Sequence, residues 1–202
     1  MSAEQSHLAL WLDAPLQSWG FESRFQRRTT GLWPTKSGVV GLICAAMGLA
    51  KGSLEEREAL PQLARLKMTV ICVPRRVERF GEVVQVPVRR VEDFHTVEGT
   101  RRASGKPNDD PVITHRQYLM DASFGVVLSG NPVLLERARS GLEDPVWGVW
   151  LGRKCCIPAS PLCRGLFETI EEAERILTGG GPELGFARVT EVEDFEDGTD
   201  SI

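Results

Sequence analysis

Residues Gly31-Leu32-Trp33-Pro34-Thr35-Lys36-Ser37-Gly38 superficially resemble a phosphate-binding loop. A nucleotide-binding loop follows G-x-x-x-x-G-K-[ST], where the second glycine brings the backbone close to the phosphates just before the lysine. Here Thr35 takes that glycine's place and Gly31 is one residue too close, which argues against a nucleoside-triphosphate site. What remains is a simpler anion site. Thr35, Lys36 and Ser37 stand at the start of a predicted helix, where free amide donors and the helix dipole favour a phosphate. The plainer alternative is an N-cap beside a solvated lysine.

Residues 17–33 interleave rings with bases: Trp19, Phe21, Arg24, Phe25, Arg27, Arg28 and Trp33. Rings stack on unpaired bases while arginines meet phosphates. The competing reading places the rings in the core and the arginines on the surface. A second basic stretch holds Arg75, Arg76, Arg79, Arg89, Arg90, Arg101, Arg102, Lys106 and Arg116, balanced by seven acids in the same region. Internal ion pairing is the sober alternative there, although the doubled arginines at 89–90 and 101–102 suit backbone phosphates. His95 and His115 share this stretch with Tyr118. A metal-free ribonuclease needs a general base near a 2′-hydroxyl and an acid at the leaving oxygen, and histidine, tyrosine and lysine supply both. Two histidines twenty residues apart specify nothing by themselves, and a hydrogen-bonding role is the favoured reading. Cys155, Cys156 and Cys163 form no C-x-x-C pair and have no histidine close by, so neither zinc nor any cofactor is expected.

The elements that must position these residues follow from punctuation and periodicity. His7–Leu12 and Met68–Val73 read as buried strands, the second ended by Pro74. A helix starts near Thr35 or Ser37, and four glycines among residues 38–52 suggest close packing against a sheet. Residues 55–66 predict a second helix. Residues 75–118 read as a protruding hairpin, in which Pro87 restricts the extended arm to an edge and 99–111 form a loop-like tip. Ala122–Leu128 predicts a strand. Asn131-Pro132 opens a helix that Gly141 is placed to end. Trp147–Leu151 reads as a further strand. Thr169 with Glu172 makes a capping box for a last helix, which Gly179-Gly180-Gly181-Pro182 ends. Residues 184–192 suggest a strand and 193–202 a frayed end. Two strand–helix–strand units imply an α+β, ferredoxin-like core.

Of the 202 residues, 42% are hydrophobic and 26% charged, an ordinary globular composition. No window approaches eighteen unbroken apolar residues, which excludes a membrane-spanning helix. The N-terminus lacks the charged-then-apolar pattern of a secretory signal. With five cysteines, an odd number, reduced thiols in a cytoplasm are the simplest expectation. The net charge of −4 conceals an asymmetry. Residues 165–202 carry eleven acids against two bases, while residues 1–164 carry 22 bases against 17 acids. A mildly basic body can meet a polyanion, and an acidic tail is usually solvated.

Five blocks in order carry a family resemblance. They are Pro15–Gly20, Pro34–Leu42, Asp93–Val97, Tyr118–Phe124 and Trp150–Cys155. Together they resemble the CasD family, the subunits that bind the five-prime handle of the guide RNA (crRNA) in the type I-E CRISPR surveillance complex, Cascade. The resemblance implies an RNA-recognition-type core of the RAMP superfamily with an inserted β-hairpin thumb. On this reading residues 1–74 and 119–165 form the core and 75–118 the thumb. Residues 166–202 form a small acidic α/β extension, shorter than in family members, which continue into further strand. Expected partners are the handle, the repeated backbone subunit and the large subunit, with target DNA reached through the complex and no membrane.

Carried onto this chain, the resemblance implies an RNA-binding subunit without turnover. Gln17, Ser18 and Trp19 are expected to meet bases or sugar, and Thr35, Lys36 and Ser37 to hold a phosphate. Arg27 and Arg28 are expected to face the RNA backbone. Arg89, Arg90 and His95 are expected at the thumb base, with His115, Arg116, Tyr118, Arg153 and Lys154 as further contacts. Because phosphate contacts release counterions, binding is expected to be salt-sensitive. An alternative is a metal-independent endoribonuclease acting on CRISPR repeat RNA through His95 or His115, with Tyr118 or Lys36 assisting, since relatives in complexes without a separate cutter cleave the repeat themselves. A third is a protein adaptor with no RNA affinity outside the assembly.

Overall fold

The computed structural model describes residues 5–23, 25–180 and 186–191. Arg24, the end of the glycine run at Gly181-Pro182 and the tail 193–202 lie outside the described residues.

Alternation of side chains lets one strand serve two layers. In β1 (Ser6–Asp13), Leu8, Leu10 and Leu12 turn to one face and Ala9 to the other. β1 lies in an antiparallel sheet with β4 (Lys67–Cys72), β9 (Ser123–Gly130), β10 (Cys163–Phe167) and β11 (Ala187–Thr190), in the order β10-β1-β9-β4-β11. The first face packs against α1 (Lys36–Ala46), α2 (Leu54–Ala64) and α3 (Pro132–Glu143). The second carries α4 (Ile170–Thr178), whose Ala173 and Leu177 cluster with Ala9, Ile71 and Val127. A Cβ at Gly125 would stand 3.0 Å from Leu177 Cβ, so the glycine lets α4 settle on the sheet. With helices on both faces, the sheet does not present the open surface on which a bare RNA-recognition fold stacks bases.

The starts of α1, α3 and α4 fall where their capping residues predict, and Ser53 caps α2 in the same way. Thr35, Ser53, Asn131 and Thr169 each accept a hydrogen bond from the backbone N–H three residues on. Gly179, at φ 75°, closes α4 in the left-handed region that suits glycine. Gly141 does not end α3, which runs two residues further. Its missing side chain instead lets α3 approach α1, where a Cβ would lie 3.0 Å from Met47 Cγ and 3.3 Å from Met47 N. Nor do the α1 glycines pack on the sheet: Gly38 meets the Trp19 ring and Gly41 meets nothing within 4 Å.

Trp147–Leu151 is not a strand. The amides of Val146 and Trp147 donate to the carbonyls of Ala46 and Ala45, at 2.9 and 3.3 Å. This segment therefore satisfies the unpaired carbonyls that a helix end leaves. The edge strand after α3 is β10, broken by a register shift and by Gly165 at φ 132°.

The expected single thumb is two hairpins. A small one pairs β5 (Arg76–Arg79) with β6 (Glu82–Gln85). Pro87, which cannot donate to a ladder, separates it from a larger one, β7 (Arg89–Val97) with β8 (Val112–Met120). On its other edge β8 takes two short strands. β2 (Leu16–Gln17) is antiparallel and β3 (Arg27–Arg28) parallel. The larger hairpin is thereby tied to Leu16–Gln17 and Arg27–Arg28. Among the described residues no helix is long and apolar enough to cross a membrane, and all five cysteines are free.

Candidate nucleic-acid interface

Burial of a polar side chain is tolerated when every group finds a partner. Gln17 is fully buried. Its amide nitrogen donates to the carbonyls of Leu12 at 3.0 Å and Ala122 at 2.8 Å, and its oxygen accepts from Trp19 Nε1 at 3.0 Å. Trp19 is buried against Gly38, and its backbone N–H donates to Thr30 Oγ1 at 2.8 Å. Ser18 is also buried, its Oγ donating to the Gln117 carbonyl at 3.2 Å. This trio was expected to meet bases or sugar. Gln17 instead builds the floor beneath the start of α1, while Ser18 and the buried Trp19 border an opening.

That opening is a cleft of about 350 Å³ lined by Ser18, Thr35, Ser37, Arg28 and Arg153 among others. The first turn of α1 borders it, and the leading amides of a helix have no partner within the helix. A second cleft of about 640 Å³ adjoins it, sharing Arg28 and Arg153 and adding Phe25, Thr114 and Arg116. Arg153 joins the two. It donates to the carbonyls of Gln117 and Arg28, both at 2.8 Å, and its guanidinium lies 4.6 Å from the centroid of the Tyr118 ring. The turn that carries it is tight. Leu151 donates to the Cys156 carbonyl at 2.8 Å, Ser18 donates to the Leu151 carbonyl at 3.0 Å, and Gly152 sits at φ 101°.

Lys36 is not in this cleft. Its Nζ is 2.7 Å from Glu191 Oε2, which also accepts from the Met68 N–H at 3.0 Å, and it lines a separate cavity between α1 and α2. The expected triad of Thr35, Lys36 and Ser37 is therefore split. Tyr118 is buried and forms part of the wall rather than a contact surface. Burial first, and the Cys155 thiol that donates to it second, push its phenol above the ordinary value.

Period-two alternation puts Arg116 and Tyr118 on one face of the β7–β8 hairpin with His95, and His115 on the other. His95 Nε2 lies 2.7 Å from Asp93 Oδ2 without hydrogen-bond alignment, whereas His115 faces Glu92 at 3.3 Å and the Phe94 ring. The four groups named for a ribonuclease, His95, His115, Tyr118 and Lys36, are thus not brought to one point. Arg89 is 3.1 Å from Asp121 at the root of the hairpin, and Arg90 is exposed beside it. Arg27 is exposed on β3, and Lys154 lies over the Trp150 ring at 6.0 Å. None of Arg27, Arg89, Arg90, His95, His115 and Lys154 lines either cleft. Phe25, which does, is 91% exposed. The interleaving of rings and arginines points toward it, but its exposure depends on a backbone geometry that no sequence pattern states.

The family model described as CRISPR-associated protein (Cas_Cas5) matches residues 7–200. CRISPR system Cascade subunit CasD of Escherichia coli (strain K12) is 30% identical over 177 residues, 86% of this chain and 76% of that protein. A chain from a structure titled CRISPR RNA-guided surveillance complex is 29% identical with a TM-score of 0.64, covering 84% of this chain, which spans 66% of that one. A chain from a structure titled Crystal structure of Cas protein is 31% identical with a TM-score of 0.63, covering 94% of this chain and 82% of that one. With the match running through β1, both hairpins and the Arg153 turn, the chain belongs to the CRISPR-associated Cas5 family.

Proposed function

We propose that this chain is a non-catalytic RNA-binding subunit of a Cascade-type surveillance complex, capping the five-prime handle of the guide RNA and bridging the repeated backbone subunit and the large subunit. One observation carries the RNA reading: Arg28, Arg116 and Arg153 converge on two adjoining clefts beside the leading end of a helix. Guanidiniums and free amides are the groups that meet phosphates. Similarity to a Cascade subunit supports the assembly part. The order β10-β1-β9-β4, with α1 and α3 in the two crossovers, supports a ferredoxin-like core for residues 1–74 and 119–165. On this reading 75–118 is the insertion and the acidic 166–202 an extension that adds α4.

The test is fluorescence anisotropy of the purified chain with labelled handle RNA in EDTA, across a salt series. A stable, uncleaved and salt-sensitive complex is expected. Specific cleavage of the repeat RNA would replace this reading with the endoribonuclease. Absence of affinity outside the assembly would replace it with the protein adaptor.

A further inference from the structure

We infer that Phe25 is a stacking platform for one unpaired base of single-stranded RNA, in a subsite of the second cleft. This deepens the RNA reading above and rests on it. Phe25 holds φ 46°, a left-handed conformation that bulky side chains rarely adopt. Phe25 is nevertheless 91% exposed, so burial does not compensate for the backbone conformation. Phe80 combines the same conformation with full exposure in the β5–β6 turn, so strain alone does not mark a site; what distinguishes Phe25 is that it also lines a cleft.

The surrounding chain fixes where the ring stands. His115 donates to the Gln26 carbonyl at 2.8 Å, and Arg27 and Arg28 pair with His115 and Arg116 in parallel register. Phe25 is therefore held one residue before a pinned segment, at the mouth of the 640 Å³ cleft. Val97 and Val112 give the cleft an apolar wall, while Arg28, Arg116 and Arg153 give it positive charge. No carboxylate lines it among the described residues. Asp93, across the strand from Arg116, is turned to His95. An apolar wall, an exposed ring and three guanidiniums complement a base with its flanking phosphates. Such a platform tolerates any base, because every base has a π-face.

The experiment measures anisotropy of the full chain with two labelled RNAs, the handle and an oligoadenylate of equal length. Variants are Phe25→Ala, Phe25→Trp and Phe25→Asn, and a handle series carries one abasic nucleotide at each position. Phe25→Ala is expected to weaken binding about ten-fold with an unchanged salt slope, because no phosphate contact is lost. Phe25→Trp keeps the affinity. Phe25→Asn loses it while holding or raising the melting temperature, since asparagine accepts the left-handed conformation. That opposition excludes a folding defect. The Phe25→Ala loss disappears on the one handle whose abasic position removes the stacked base. Equal affinity of Phe25→Ala and wild type, or an equal loss on every abasic handle, overturns the subsite. Binding of oligoadenylate without preference for the handle, still weakened by Phe25→Ala, keeps the platform and removes the handle reading. If wild type binds neither RNA, both fall.

Discussion

Arg153 lies over Tyr118, its Cζ 4.6 Å from the ring centroid, and from there reaches two carbonyls on different strands, Gln117 of β8 and Arg28 of β3. The planar guanidinium supplies donors in a fixed fork, which a lysine ammonium on a flexible stem does not reproduce. Arg153→Lys keeps the charge but loses at least one of these bonds. A charged hydrogen bond contributes about 1.5–3 kcal/mol, so the affinity for RNA is expected to fall roughly ten-fold and the melting temperature by several degrees. A lysine variant equal to wild type in both measurements would show that charge alone is required there.

The turn that delivers Arg153 has no room for a side chain at Gly152. A Cβ there would stand 1.8 Å from the Ser18 carbonyl oxygen, at a φ of 101°. Gly152→Ala must therefore push the 150–156 loop away from Ser18, breaking the bond from Ser18 N to the Leu151 carbonyl. We expect a loss of several kcal/mol, at the exceptional end for single substitutions. Gly41→Ala is the matched control. That glycine is inside α1 with nothing within 4 Å, and alanine there is expected to add about 0.5–1 kcal/mol. Denaturant melts of the two variants should move in opposite directions.

Caps and strand patterning were legible in the sequence because they are local. Thr35, Asn131 and Thr169 each act within one turn of their own position, whereas residues 55–66 point to α2 without its cap, Ser53. Buried strands such as Val70–Ile71 carry their apolar signature with them. The misreadings have non-local causes. Trp147–Leu151 has a strand's composition but spends its first amides on the end of α1. β10 is hidden by Gly165 and a register shift, and the two-residue strands β2 and β3 exist only because β8 offers an edge. At the site, the rings and arginines of 17–33 were visible as a group. Which of them would be buried depended on partners as distant as Ala122, 105 residues from Gln17.

Lys36 illustrates the same limit and gives a sharp comparison. A lysine at a helix start reads as a phosphate contact, yet its ammonium is held by Glu191, 155 residues away. Partly exposed pairs of this kind contribute about 0–1 kcal/mol. Lys36→Ala is expected to leave the RNA affinity within two-fold and the salt slope unchanged. Arg28→Ala and Arg116→Ala should each reduce the slope by about one counterion. A reduced slope for Lys36→Ala would mean that Glu191 releases the lysine when RNA arrives.

Cys156 sets an alkaline limit on stability. It is fully buried, and burial above all pushes its thiol up to about 11 from 9.0. The folded state thus holds this proton more tightly than the unfolded chain does. Its contribution is complete below pH 9 and is lost as the pH rises toward 11. Tyr118, also raised by burial, steepens the decline above pH 10. Thermal melts of wild type should fall more steeply between pH 9 and 11 than melts of Cys156→Ala, and parallel profiles would exclude the thiol as the cause. The same burial protects Cys156 from iodoacetamide at pH 8 in the native state, while the exposed Cys155 beside it is alkylated. Peptide mass spectrometry with and without denaturant separates the two sulfurs, and early labelling of Cys156 would place the 150–156 loop open in solution, with Arg153 released from Tyr118.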